Sequence, residues 1–85
     1  MTKKTDKQIS LSELVPGGKA TIVRIKGKGS FKKRLLEMGM IRGQEIYKVK
    51  LAPLADPAEY IVKDYHISLR QEEAREIMVE IADSV

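Results

Sequence analysis

The chain has 85 residues, of which 42% are hydrophobic and none is cysteine. This length fits one small domain with a single core, and the lack of cysteine excludes disulfides, thiolate metal sites and cysteine nucleophiles. The apolar runs are too short for a membrane-spanning helix, and the polar, lysine-rich start does not have the pattern of a secretory signal. This composition is compatible with a cytoplasmic protein.

Charge is unevenly distributed along the chain. Residues 1–50 carry 13 Lys and Arg against 4 Asp and Glu, whereas residues 51–85 carry 3 against 8, which gives net charges of +9 and −5. This distribution predicts a basic face and an acidic face, and a basic surface favours nucleic acid, anionic lipid or an acidic protein partner. The alternative interpretation is that the lysines only keep a small protein soluble.

The first part of the chain predicts a tail, a helical turn and a strand. Residues 1–8 are polar and terminal, so we assign them to a flexible tail and expect the folded domain to cover residues 9–82. The sequence Ser10-Leu11-Ser12-Glu13 has the spacing of a capping box and predicts a single helical turn. Residues 19–26 then alternate in the manner of a β-strand.

A short helix is predicted after the glycine-containing loop that ends this strand. Phe31, Leu35 and Met38 recur with the spacing of one helix face. Gly39 is predicted to end the helix in the left-handed conformation, because glycine adopts positive φ without steric penalty. Gly43 is predicted to form a second turn, which opens the next strand.

The second half of the chain predicts mainly β-structure. Residues 44–51 alternate as a strand, residues 52–57 form a loop with two prolines, and residues 59–69 read as a hairpin. A charged helical turn over residues 70–76 precedes a last strand at residues 77–81. About five strands with two or three helical turns favour a mainly β fold, such as a small barrel or sandwich.

The loop of residues 26–34 is the predicted partner-binding surface. Its cations are Lys26, Lys28, Lys32, Lys33 and Arg34. The glycines of this loop fit neither the phosphate-loop nor the dinucleotide-binding spacing, so a nucleotide site is not expected. We predict that the cations bind a partner and that Met40, left partly exposed by the turn after Gly39, serves as an apolar anchor.

No residue pattern predicts catalysis, a metal site or a cofactor. His66 is the only histidine and has Asp64 as its only nearby carboxylate, whereas metal centres normally need several ligands. The carboxylates of residues 72–76 fit a solvated helical face. Because no nucleophile-and-base set and no paired carboxylates in a pocket are expected, we predict a protein that is not an enzyme.

Four segments between residues 9 and 81 carry a family resemblance. They are Leu11-Ser12-Glu13-Leu14-x-Pro16-Gly17, Arg34-Leu35-Leu36-Glu37-Met38-Gly39-x-x-x-Gly43, Ala52-Pro53-Leu54-x-Asp56-Pro57 and Ile67-Ser68-Leu69-Arg70-x-Glu72-Glu73-Ala74. In this order they resemble the FeoA family, small cytosolic proteins of bacterial ferrous iron uptake. Arg42 stands where the family often has proline, and Ala55 and Asp64 stand where it often has glycine.

The resemblance implies an SH3-like β-barrel with two or three short helical turns and a non-enzymatic accessory role in Fe²⁺ import. It implies docking on FeoB, the GTPase-linked ferrous iron transporter of the membrane, and modulation of transport. The expected location is cytoplasmic, peripheral to the inner face of the membrane through this partner. Pairing of edge strands into a homo-oligomer remains an open alternative.

Two other functions are compatible with the residues. One is a nucleic-acid-binding barrel that uses the basic loop, although only four aromatic side chains, Phe31, Tyr47, Tyr60 and Tyr65, are available for base stacking. The other is direct delivery of Fe²⁺ or Zn²⁺, against which the scarcity of ligands argues. Transition-metal binding is otherwise implied only weakly, at the level of the family.

Overall fold

The computed structural model describes residues 5–83, which form a six-stranded antiparallel sheet with three short helical segments. The strands are β1 (Thr5–Ser10), β2 (Lys19–Ile25), β3 (Glu45–Lys48), β4 (Ala58–Val62), β5 (Tyr65–Leu69) and β6 (Ile77–Asp83). A 3-10 turn spans Leu11–Glu13, helix α1 spans Gly29–Glu37 and helix α2 spans Gln71–Ala74. Within residues 5–83, the helices are all too short and too polar to cross a membrane.

The strand order in the sheet is β1-β6-β2-β3-β4-β5, and every neighbouring pair is antiparallel. Strand β2 is therefore interior, with β6 on one side and β3 on the other, while β1 and β5 form the two edges of the described sheet. The predicted mainly β fold with short helical turns is confirmed.

A single hydrophobic core fills the domain. Its largest fully buried side chains are aliphatic apart from Met40 and Tyr60 of β4. Leu11 from the 3-10 turn, Leu35 from α1 and Ala74 from α2 join the strand residues in this core. Full burial of one large apolar side chain contributes about 1.5–3 kcal/mol, so these short elements are held mainly by packing rather than by helix propensity.

A β-bulge changes which side chains of β2 face the core. The pairing of β2 with β6 shifts register between Ile22 and Arg24. Ala20, Ile22 and Ile25 are consequently all buried, although strict alternation placed Ile25 on the opposite face. The extra residue of the bulge re-aims the end of the strand, so the last apolar residue before the basic loop points inward.

Strand β1 overlaps the segment assigned to a flexible tail. Residues Thr5–Ser10 pair with residues 78–83 of β6, so residues 5–8 belong to the sheet. The four residues before Ile9 are all polar, and an edge strand of this kind is stabilised by its backbone ladder rather than by burial. Residues 5–8 therefore lack the alternation of apolar and polar residues that would predict a strand. Residues 1–4 of the assigned tail lie outside the described residues.

Candidate partner-binding surface

The basic loop is fixed at its start by β6 and by an aromatic ring. The backbone amide of Lys26 donates to the Glu76 carbonyl at 2.7 Å, which joins the end of β2 to the start of β6. The Phe31 ring lies against Gly27, where a Cβ atom would come within 2.7 Å of Phe31 Cδ2. Gly27 is therefore needed for close approach of the ring, and the loop is packed rather than free.

Helix α1 turns one face to the core and the other to solvent. Leu35 is fully buried, and Phe31 and Met38 pack against the core beside it, as their spacing predicted. Lys32 and Lys33 are exposed as a result.

Two glycines with positive φ connect α1 to β3. Gly39 has φ +89° and ends the helix, as expected of the residue after a helix C-cap. Gly43 has φ +90°, and its amide donates to the Ile22 carbonyl at 2.8 Å. These turns fix the segment after α1 against β2.

Four lysines form the basic face, which is defined here as Lys26, Lys28, Lys32 and Lys33. Each of them is exposed, and none forms an ion pair with the described side chains of residues 7–81. Their charges are therefore available to a partner.

Arg34 differs from these four lysines. Its Nη2 atom lies 3.5 Å from Glu73 Oε2, and its Cζ atom lies 5.7 Å from the centroid of the Phe31 ring. The side chain is still about half exposed. Arg34 thus links α1 to α2, and its charge is shared with Glu73 instead of being fully free for a partner.

Met40 is not the exposed anchor that the sequence suggested. Its exposed fraction is 0%, and its amide donates to the Leu35 carbonyl at 3.0 Å. The left-handed residue Gly39 turns the chain back over the helix end, so Met40 enters the core. The exposed apolar side chains of this region are instead Leu36 and Ile41, with exposed fractions of 44% and 48%.

An apolar groove of about 300 Å³, the α1–β2 groove, lies beside the basic face. Its floor includes Ile22 and Ile25, Leu36 forms part of its wall, and Arg24 and Arg42 line it. The sequence does not mark this groove, because its lining comes from β2, from α1 and from the turn before β3, which are separate segments of the chain. One feature of the sequence does indicate an exposed apolar surface here. Leu36 lies outside the helix face that Phe31, Leu35 and Met38 form.

The described residues give little support to the two alternative functions, nucleic-acid binding and metal delivery. Phe31 packs against the core and Tyr60 is buried, so the aromatic ring nearest the basic loop is not presented for base stacking. Among the side chains of residues 7–81, no three His, Cys, Asp or Glu groups come together in a metal-binding arrangement. Tyr60 has its pKa raised to about 12, mainly because burial disfavours the phenolate and additionally because Asp56 is negative.

Comparison with known proteins adds independent information. The FeoA domain family matches residues 9–81. A curated relative from Porphyromonas gingivalis is a fusion of Fe(2+) transport protein A with the Fe(2+) transporter FeoB, and it is 51% identical over 74 residues. The match covers 87% of this chain but only 9% of that relative.

Two solved structures share the fold. Iron(II) transport protein A of Clostridium thermocellum superposes with a TM-score of 0.76 at 41% identity, over 86% of this chain and 45% of the other. The zinc-bound FeoA of Stenotrophomonas maltophilia, a prokaryotic SH3-domain protein, gives a TM-score of 0.71 at 25% identity, over 88% and 89%. The six-stranded sheet is therefore an SH3-like fold. Since the family match covers nearly all described residues, the chain belongs to the FeoA domain family.

Proposed function

We propose that this chain is a cytoplasmic accessory protein of ferrous iron uptake that docks on the cytosolic part of an FeoB-type transporter and modulates Fe²⁺ transport. The observation that carries the proposal is the relative in which a homologue of this domain is fused to FeoB. Joining two modules in one polypeptide raises their effective concentration around each other, which favours modules that work in contact. The transporter also places the domain at the inner face of the membrane.

The basic face is the part of the surface that best suits such docking. Its four exposed lysines form no ion pair with the side chains of residues 7–81, so they attract an acidic surface and speed the encounter with it. Charged residues at an interface rim mainly set the association rate, whereas apolar contacts supply affinity. Leu36 and Ile41 are the exposed apolar side chains in the adjoining segment.

The direct test is a binding experiment between this chain and the purified cytosolic part of an FeoB-type transporter. Biolayer interferometry with and without guanine nucleotide gives both rate constants. Lys28→Glu combined with Lys33→Glu is expected to lower the association rate about tenfold at low salt. The matched control is Lys7→Glu with Lys50→Glu, which makes the same charge change at exposed lysines outside the basic face.

Uptake of ⁵⁵Fe²⁺ in cells that carry the transporter tests the modulation itself. Deletion of this chain is expected to change the uptake rate, and the basic-face double variant is expected to restore it less well than the control variant. Absence of binding in every nucleotide state, together with unchanged uptake after deletion, would contradict the proposal. Equal association rates for the two double variants would reject the basic face as the docking surface.

A further inference from the structure

The α1–β2 groove combines an apolar interior with a cationic border. Ile22, Ile25 and Met40, which are buried, line it together with Leu36 of α1, whose exposed fraction is 44%. An exposed leucine that adjoins a groove of this size adds apolar area that a partner can remove from water. The groove therefore offers affinity, which the lysines of the basic face alone would not supply.

Three cations border this groove from three separate parts of the chain. Arg24 comes from β2, Lys32 from α1 and Arg42 from the turn before β3. All three are exposed, and no carboxylate among the described side chains of residues 7–81 forms an ion pair with any of them. The fold thus brings three positive charges together around an apolar surface. Their mutual repulsion would be lowered by a carboxylate that binds between them.

Three other clefts of the domain differ from this groove because each has an acidic residue in its lining. One is bordered by Glu59, a second by Glu73 and a third by Glu80. The lining of the α1–β2 groove contains no acidic residue. Its charge complement is therefore acidic, which separates it from these three clefts.

The position of β2 restricts how a partner can bind in the groove. Strand β2 lies between β3 and β6 in the sheet, so it is not an edge to which a partner strand could be added. Contact has to be made by side chains that enter the groove. An amphipathic helix does this with apolar residues spaced three and four apart, while its flanking positions can carry charge.

We propose that the α1–β2 groove binds an amphipathic helical segment of the partner, whose apolar side chains contact Leu36 and the groove floor and whose flanking carboxylates face Arg24, Lys32 and Arg42. This inference rests on the proposed docking function and specifies the chemistry of the segment that is bound. Groove contacts keep the complex together, whereas the basic face accelerates its formation. The two surfaces share Lys32.

Fluorescence anisotropy with synthetic helical peptides tests the groove without the transporter. The probe is a labelled peptide with leucines along one face and glutamates beside them, and the matched peptide replaces every glutamate by lysine. The acidic peptide is expected to bind at least about tenfold more tightly, and its affinity is expected to fall as salt rises. A third peptide with a central proline, which cannot form the helix, is expected to lose binding.

Variants of the chain assign this binding to the groove. Lys32→Glu with Arg42→Glu is expected to weaken the acidic peptide about tenfold or more, while the control Lys7→Glu with Lys50→Glu changes it little. Leu36→Asn is expected to weaken it as well, and Leu54→Asn, which alters an exposed leucine in the loop before β4, serves as its control. Circular dichroism of each variant checks that the fold is retained.

The results of these experiments distinguish failure of the groove inference from failure of the proposed docking function. If the transporter binds but the groove variants dissociate from it at the wild-type rate, the groove inference is wrong and the docking function stands. If the acidic peptide binds through the groove but the transporter does not bind, the docking function fails and the groove chemistry stands. Groove-dependent binding of anionic lipid vesicles or of single-stranded RNA, without binding of the acidic peptide, would overturn the inference.

Discussion

The close contact between Gly27 and Phe31 predicts a measurable loss of stability when a side chain is added at Gly27. Gly27 does not have positive φ, so alanine fits the backbone, but its Cβ would lie 2.7 Å from Phe31 Cδ2. We expect Gly27→Ala to lower the free energy of unfolding by about 1–3 kcal/mol, because the ring has to move from its packing site. Urea unfolding of the purified variants measures this change.

A double-mutant cycle identifies the cause of that loss. In the background of Phe31→Ala the ring is absent, so the second change at Gly27 is expected to cost close to nothing. An equal cost in both backgrounds would show that the backbone of the loop, rather than the ring, demands glycine.

Tyr60 makes stability depend on pH in the alkaline range. Its pKa rises from 10.0 to about 12 in the folded state, first because of burial and second because of Asp56. Well below pH 10 the tyrosine is protonated in both the folded and the unfolded state and contributes no pH dependence. Between about pH 10 and pH 12 the unfolded chain ionises first, so the free energy of unfolding falls by roughly 2–3 kcal/mol.

Tyr60→Phe separates this effect from the titration of lysines. Urea unfolding at about pH 8, 10 and 11.5 is expected to show a steeper loss of stability in the wild-type chain than in the variant. Parallel losses in both proteins would mean that ionisation of Tyr60 does not govern alkaline stability.

At the scale of elements, α2 is held by two carboxylates. Asp56 Oδ1 accepts a hydrogen bond from the Gln71 amide at 3.0 Å, and Glu73 Oε1 accepts one from the Arg70 amide at 2.9 Å. Such bonds satisfy amides at a helix start that have no partner within the helix. The loop before β4 is thereby attached to α2.

Removing the first of these bonds is expected to loosen both elements. Asp56→Ala should lower the free energy of unfolding by about 1 kcal/mol, the usual effect of losing a helix cap. It should also speed hydrogen exchange at the Gln71 amide. The control is Asp64→Ala in the β4–β5 turn, since Asp64 is an exposed aspartate. Unchanged exchange at Gln71 would show that the bond to Asp56 does not hold the start of α2.

The elements were predictable where a regular apolar pattern marked them. The stripe of Phe31, Leu35 and Met38 identified α1, and two short strand-like runs on either side of the turn at Asp64 identified the β4–β5 hairpin. Strand β1 was missed because its first four residues are polar and its stability comes from pairing with β6. The inward turn of Ile25 was missed because a bulge cannot be read from alternation.

The candidate site was predictable only in its local part. The lysines of residues 26–33 are close in sequence, and the structure exposes them as expected. Met40 was assigned to the surface because the direction of the chain after Gly39 depends on the tertiary fold. Arg24 and Arg42 could not be connected with Lys32 from the sequence, since only the tertiary fold brings these three separate segments to one groove.

At the scale of the whole molecule, the two oppositely charged halves of the chain meet in one domain. The ion pair of Arg34 with Glu73 joins them directly, at 3.5 Å. The remaining cations of the basic loop form no ion pair with the side chains that the structure describes, those of residues 7–81. The fold therefore keeps most of this positive charge at the surface, which is the property on which the proposed docking depends.

The edge strand β1 protects β6 from exposure at the edge of the sheet. Thr5–Ser10 covers β6, which would otherwise form the edge of the described sheet. Removal of residues 1–8 deletes most of this ladder, and we expect a loss of about 1–3 kcal/mol in the free energy of unfolding, since a backbone hydrogen bond contributes about 0.5–1.5 kcal/mol.

The same truncation is expected to change the oligomeric state. With residues 1–8 removed, unpaired backbone groups of β6 become available to a second copy, so size-exclusion chromatography should show association that increases with concentration. The matched control removes residues 1–4 only, which leaves the whole described strand β1 in place. If both truncated chains unfold at the same urea concentration and elute alike, residues 5–8 neither stabilise the sheet nor shield β6 from pairing with another molecule.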